Sequence, residues 1–260
     1  MTMSHMMKHG YFMPYQMYLV SYPRSGANWL RYCIEAIGGS PTHGVKPLNP
    51  LTPLDESVEE AARGLLDVTL GVDLDAPVLL QHSHRWEEPA PCAEILLIVR
   101  NHKECILRDY RGGPRSKEQV RATALENSLE ILCNEDGIKD YAGLLQRYVE
   151  HTGPKHIVYF EDLKLKPRET LLEVMEFLSI ENPKVDAFME YYDRHNQVSV
   201  LIYNNGVSKS YTLGKNTMSL HSDEFLTLDD KRKWDQYIET HHPDIVPLVE
   251  RYFEPRSEDD

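Results

Sequence analysis

Two histidines one residue apart, in the run Gln81-His82-Ser83-His84-Arg85, close an apolar segment of this chain. A neutral imidazole in such a place can take a proton from a hydroxyl or amine near neutral pH. The stretch from Tyr18 to Tyr32, YLVSYPRSGANWLRY, sets Arg24 beside Ser25, Gly26, Ala27 and Asn28 at the junction of an apolar run and a segment of helical period. Amides at a helix start have no intrahelical acceptor, so together with the arginine they can cradle a phosphate or a sulfate. A third group, Arg100-Asn101, ends the apolar run AEILLIVRN and supplies a guanidinium fork that matches such oxygens two at a time. A magnesium-dependent kinase loop would carry a lysine and a hydroxyl residue after its second glycine, whereas Gly26 is followed by Ala27-Asn28.

The elements that must position these groups alternate between strand and helix. Met17 to Ser21 is a short run of strand formers, and Leu30, Cys33, Ile34 and Ile37 then recur at helical spacing up to Gly38-Gly39. APVLLQHSH and AEILLIVRN have the length and continuous hydrophobicity of strands buried on both faces, and KHIVYFED predicts another. Ser116 with Gln119 predicts a capped helix, a second helix runs from about Lys139 to His151, and Pro167 opens a third. Asn182-Pro183 opens a helix containing Val185, Phe188, Met189 and Tyr192. From His195 to His221 the pattern breaks, predicting a long irregular stretch, and the last helices fall near LDDKRKWDQYIE and PDIVPLVERYF. The fold class predicted is α/β: three layers around a mainly parallel central sheet, with a P-loop-like phosphate-binding strand-loop-helix. The polar ends of three strands then meet in one crevice.

Composition narrows the partners. With 260 residues and 41% apolar content the chain suits one domain over 1–260, with a loosely ordered leader at 1–15 and a flexible tail at 254–260. A net charge of −13 excludes nonspecific binding to nucleic acid or anionic membranes, so an anion must meet a local basic pocket. Cys33, Cys92, Cys105 and Cys133 lack metal or disulfide spacing, which fits a reducing, cytoplasmic setting. No apolar run approaches the ~20 residues of a membrane span. Oligomeric state is not encoded in any motif.

YPRSGANWL resembles the 5'-phosphosulfate-binding loop of PAPS-dependent sulfotransferases, Y-P-[KR]-S-G-[TSN]-x-W. LIVRNHKE is similar to that family's R-N-x-[KR]-[DE] segment, and VYFEDLKLKPRETLLEVMEFL to its Y-E-D-L segment, in the expected order. The resemblance implies a soluble, metal-independent enzyme that moves a sulfuryl group from PAPS to a small-molecule hydroxyl or amine and releases PAP. It places Arg24 at the bridging oxygen and Ser25, Gly26, Ala27 and Asn28 as loop donors. Trp29 and Phe160 fall near the adenine, and Arg100 at the 3'-phosphate. Aligning H-S-H with the family's K-T-H makes His84 the general base and puts His82 in the lysine's place; in an extended strand the two share a face.

The chain departs from the family at Ala27, where a hydroxyl is common, and at Arg108, where a phosphate-binding serine is usual. Arg108 either binds the 3'-phosphate or points to a carboxylate. The late R-K-G-x-x-G-x-W loop is not found, although VSKSYTLGKNT offers Ser208, Lys209, Gly214 and Lys215, with Lys209 the candidate anchor. The acceptor pocket is assigned to the Pro-rich stretch after Ser40, to Trp86–Pro91, and to the tyrosines at 191, 192, 203 and 211. Two other readings stay open: a P-loop kinase, and a noncatalytic PAP- or nucleotide-binding module.

Overall fold

The computed structural model describes residues 17–43, 73, 76–86, 91–110, 141–204, 222–223 and 226–255, with the backbone alone given for 107–110, 198 and 200–204. The predicted helix at Ser116, the Pro-rich stretch beyond His43 and the loop holding Lys209 lie outside these residues.

Four strands, β1 (Met17–Ser21), β2 (Gln81–Ser83), β3 (Glu94–Val99) and β4 (Lys155–Tyr159), form a parallel sheet in the order β2-β1-β3-β4. Leu19 pairs with Leu96 and Val20 with Leu97, so successive residues of each strand enter opposite apolar layers. Leu19, Leu96, Ile98 and Val158 face α1 (Ala27–Gly38), α4 (Phe160–Leu165), α5 (Pro167–Phe177), α6 (Val185–Glu190) and α7 (Tyr192–Asn204). Val20, Leu97 and Val99 face α2 (His102–Tyr110), α3 (Tyr141–Glu150) and α8 (Leu228–His241), followed by helical turns from Pro243 to Tyr252. This is the three-layer α/β arrangement the sequence predicts. Because β1 has its chain successor on one side and β3 on the other, its carboxyl end is a switch point where a crevice opens.

Several elements end where the sequence says they should. Gly39 stops α1 in a left-handed conformation, φ 73°, with its amide donating to Glu35 O at 2.9 Å. Pro167 occupies the first turn of α5. Three expectations are corrected. Residues 77–80 are not strand, and β2 is only Gln81–Ser83, because the apolar run there is longer than its paired length with β1. The strand of KHIVYFED stops at Tyr159, and Phe160 begins a helix whose first turn holds Glu161 and Asp162, the charges that favour a helix N-terminus. The stretch from His195 is not irregular at its start: α7 continues to Asn204, with His195 and Ser199 buried one turn apart. Its Asn and Ser are weak helix formers but not breakers, Gln197 favours the helix, and the first strong stop signal is Asn205-Gly206.

α8 is locked to the start of α2 by a buried charge cluster. Thr227 and Asp230 cap α8 reciprocally. Asp235 then accepts from the Lys103 ammonium at 2.8 Å and from His102 Nε2–H at 3.0 Å, while Lys103 also donates to Tyr252 O at 2.6 Å. Burial works to raise the Asp235 carboxyl, but hydrogen bonds and charge from His102 and Lys103 outweigh it and hold it below its ordinary range. Asp235→Ala leaves the fully buried Lys103 ammonium to the Tyr252 carbonyl and to the Glu254 carboxylate at 3.5 Å, and the expected cost is about 3 kcal/mol, read as a lower urea midpoint. The sign with pH follows from the lowered carboxyl: the advantage of the unaltered chain is complete above the unfolded value of about 3.9 and shrinks as the pH falls below it.

Candidate active site

The carboxyl ends of β1, β2 and β3 bring the predicted residues to one corner. After β1 the chain turns through Tyr22, Pro23, Arg24 and Ser25 into α1. Arg24 takes a left-handed backbone, φ 69°, and is exposed; Gly26 follows at φ 93°. A Cβ at Gly26 would stand 2.3 Å from the Phe160 ring, so glycine is required here by both conformation and space. Leu30 N is the first amide of α1 bonded back along the helix, to Gly26 O at 3.1 Å. The first-turn amides from Gly26 to Trp29 thus precede the intrahelical ladder and can meet an anion. Ser25 is buried with its hydroxyl 3.5 Å from Cys105 Sγ, Ala27 is buried, and Asn28 is exposed at the mouth of the turn.

Arg100 reaches the same turn from the end of β3. Its guanidinium lies 4.2 Å from the centroid of Phe160 and donates to Arg24 O at 3.3 Å, while its own carbonyl accepts from Tyr141 Oη–H at 2.9 Å. Asn101 caps α2 by accepting from Lys103 N at 3.0 Å. Glu161 receives the Tyr252 hydroxyl at 2.6 Å, and Asp162 holds Arg251 through both oxygens at 2.8 and 3.0 Å, so neither acid faces the corner as a lone base. Arg108 is on α2, two turns beyond Arg100, with its side chain outside the described residues, as is Lys209.

Trp29 is buried inside an aromatic group. Tyr32 stacks on it at 5.7 Å, Tyr192 meets it edge-on at 5.6 Å, and the Lys164 ammonium lies 4.4 Å above its ring. Burial pushes Lys164 down to about 8, and its ammonium donates to Asn196 Oδ1 at 3.0 Å. Lys164 was not singled out in the sequence, yet it stands four residues after Phe160 on one short helix, the spacing that shares a face. Arg24, Arg100 and Lys164 make this a basic corner on an acidic chain.

The two histidines sit on the far side of the turn. His82 is buried, with Nε2 3.0 Å from Ser21 Oγ. Burial, then the neighbouring His84 and Arg31, hold it well below its ordinary value, so it is neutral. His84 is half-buried, and its Nδ1 is 2.8 Å from Ser21 O and 3.2 Å from Ser21 Oγ. A carbonyl oxygen only accepts, so Nδ1 carries the hydrogen and Nε2 is the basic nitrogen. The rings meet edge to face at 4.7 Å, as two residues on one face of a strand should. Ser21, whose main chain and side chain both hold these rings, was passed over in the sequence because a single serine ending a strand has no distinguishing signal.

Residues 81–252 match the family described as the sulfotransferase domain, a span that includes the histidine pair, Arg100 and Phe160 but begins after the Arg24 turn. The chain is similar to the mouse sulfotransferase SULT7A1 complexed with PAP, at a TM-score of 0.56 and 19% identity, over 92% of this chain and 88% of that one. It is also similar to retinol dehydratase in complex with androsterone and inactive cofactor PAP, at a TM-score of 0.53 and 10% identity, over 94% and 83% of the two chains. A WSCD family member of Aedes aegypti is 25% identical over 169 residues, 62% of this chain and 49% of the relative, so the chain spans about half the length of the curated relative it matches.

Gly26→Ala tests the turn. Its left-handed backbone and its contact with Phe160 are both penalised, and the expected result is a Tm lower by about 5 °C or more. Adding Phe160→Ala relieves the steric part alone, so differential scanning calorimetry of the pair separates the two contributions.

Proposed function

The chain belongs to the sulfotransferase domain family, and from that premise we propose that it moves the sulfuryl group of PAPS to a hydroxyl or amine of a small acceptor and releases PAP. The observation that carries this reading is the hydrogen bond from His84 Nδ1 to Ser21 O, which leaves Nε2 as the base beside a turn built for an anion. In the transfer, a bond forms between the acceptor oxygen or nitrogen and sulfur, and the bond from sulfur to the bridging phosphate oxygen breaks. His84 Nε2 takes the acceptor's proton. Arg24, the Ser25 hydroxyl and the amides of Gly26, Ala27 and Asn28 meet the negative charge left on the bridging oxygen; the Ser25 amide donates to Tyr22 O at 3.3 Å. Arg100 anchors the 3'-phosphate, with Arg108 and Lys209 as further anchors.

Trp29 and Phe160 border the adenine, and Lys164 must leave the Trp29 face or turn toward the base for that contact to form. His82 occupies the position of the family lysine without its charge, so fixed positive charge on the transferring group comes from Arg24. The acceptor is proposed to be small and amphipathic, met by Tyr191 between α6 and α7, by Tyr192 at the start of α7 and by Trp86 beyond β2, and sulfated on oxygen or nitrogen. The reaction as written calls on no metal. A cytoplasmic setting is proposed from the free thiols of Cys33, Cys92 and Cys105. Among the described residues, no helix is long and apolar enough to cross a membrane.

Two substitutions separate chemistry from binding. His84→Ala is expected to lower turnover by about 10²–10⁴ while the calorimetric Kd for PAP stays within a few-fold. Arg100→Met is expected to weaken PAP by about 10-fold to 100-fold, the worth of one charge-assisted hydrogen-bond pair. Failure of the unaltered protein to transfer label from radioactive PAPS to any acceptor in a broad panel, with no heat of PAP binding, overturns the reading; full activity of His84→Ala removes His84 as the base, and tight PAP binding without transfer favours a noncatalytic nucleotide-binding role.

A further inference from the structure

Ser21 presents two different acceptors to His84, and they do not ask for the same tautomer. Its carbonyl, 2.8 Å from Nδ1, requires a hydrogen on Nδ1. Its hydroxyl, 3.2 Å from the same nitrogen, could instead donate to it. That donation would put the ring hydrogen on Nε2 and abolish the base. The outcome depends on where the hydroxyl hydrogen points, and the other partner within reach is His82 Nε2 at 3.0 Å. If His82 Nε2 accepts, the hydroxyl turns a lone pair to His84 Nδ1–H, and both the Ser21 hydroxyl hydrogen and the His84 Nδ1 hydrogen have acceptors, while the hydrogen on His82 Nδ1 has none among the described residues. If His82 Nε2 instead carries a hydrogen, it faces the hydroxyl as a second donor and sends the hydroxyl hydrogen toward His84.

We propose that His82 is a positioning residue that selects the reactive tautomer of His84, acting through the Ser21 hydroxyl. This rests on the reading of His84 as the base and adds to it a reason for a buried imidazole where the family has a lysine. Three features support it besides the distances. Ser21 is fully buried, so water does not compete for its hydroxyl. His82 Nδ1 is buried with no hydrogen-bond partner among the described residues, so no neighbour forces the opposite tautomer on that ring. Burial, then the neighbouring His84 and Arg31, keep His82 uncharged, and a charged His82 would carry hydrogens on both nitrogens and could not accept.

The test is a double-mutant cycle read by two measurements. Long-range ¹H–¹⁵N spectra of the full-length chain, labelled on histidine, report which nitrogen of His84 carries the hydrogen, whether or not an acceptor substrate is known. Steady-state kinetics with PAPS and a working acceptor give kcat and KM separately. In the unaltered protein the Nδ1–H form of His84 is expected to dominate. His82→Phe fills the space but accepts nothing, and is expected to shift His84 toward the Nε2–H form and lower kcat about tenfold with KM for PAPS within twofold. His82→Gln, whose amide oxygen can take the hydroxyl hydrogen, is expected to restore the Nδ1–H form and most of the rate. His82→Phe combined with Ser21→Ala removes the competing donor and is expected to recover the tautomer.

An unchanged His84 tautomer in His82→Phe overturns the proposal, as does a double variant as displaced as the single one. Should His82→Phe not fold, the comparison of His82→Gln with Ser21→Ala decides it, because an Nε2–H form of His84 in His82→Gln is incompatible with the proposal. If the unaltered protein transfers no sulfuryl group, the proposed reaction fails while the spectra still decide the tautomer.

Discussion

The corner that this fold assembles depends on one contact, the Phe160 ring lying where Gly26 would have carried a side chain. The ring closes the space beneath the turn after β1, and its other partner, the Arg100 guanidinium 4.2 Å away, is thereby held against the Arg24 carbonyl. Three chain segments distant in sequence are fixed by this stack: the turn, the end of β3 and the first residue of α4. The left-handed geometry of Arg24 and Gly26 costs conformational energy that only such packing sustains. In return the first-turn amides of α1 converge where an anion can be met, on a chain whose net charge of −13 would otherwise repel one.

Polar groups at this corner are settled by partners rather than by exposure. Glu161 and Asp162 are held by Tyr252 and Arg251. Of the two imidazoles, the buried one is kept neutral and the half-buried one has its proton placed by a carbonyl. In the opposite layer Asp235 gathers His102 Nε2–H and the Lys103 ammonium, which also reaches the Tyr252 carbonyl and Glu254.

Most of the sheet was legible because parallel strands covered on both sides are written as continuous apolar runs, as in EILLIV, and because glycine and proline punctuate α1 and α5. The first turn was legible from Arg24, Ser25 and Gly26, whose types serve a tight strand-to-helix connection. Less could be read where tertiary context overrides local signal. Residues 77–80 look like Leu-rich strand but do not pair with β1, Leu79 N and Leu80 O bonding instead to Pro41 and His43, and α7 continues through residues without a strong local signal because it is packed through His195 and Ser199. Ser21 and Lys164 could not be ranked in advance, since a serine ending a strand and a lysine on a short helix acquire meaning only from the imidazoles and the indole beside them.

Lys103 also sets when the corner can be completed during synthesis. Its ammonium is answered by Asp235 and by the carbonyl of Tyr252, 149 residues further along the chain. Until that late segment has emerged from the ribosome, the Lys103 ammonium at the start of the helix following Arg100 stays in water and that face of the helix is uncovered. The arginine at the end of β3 is thus translated early, while the layer that backs its helix is completed late.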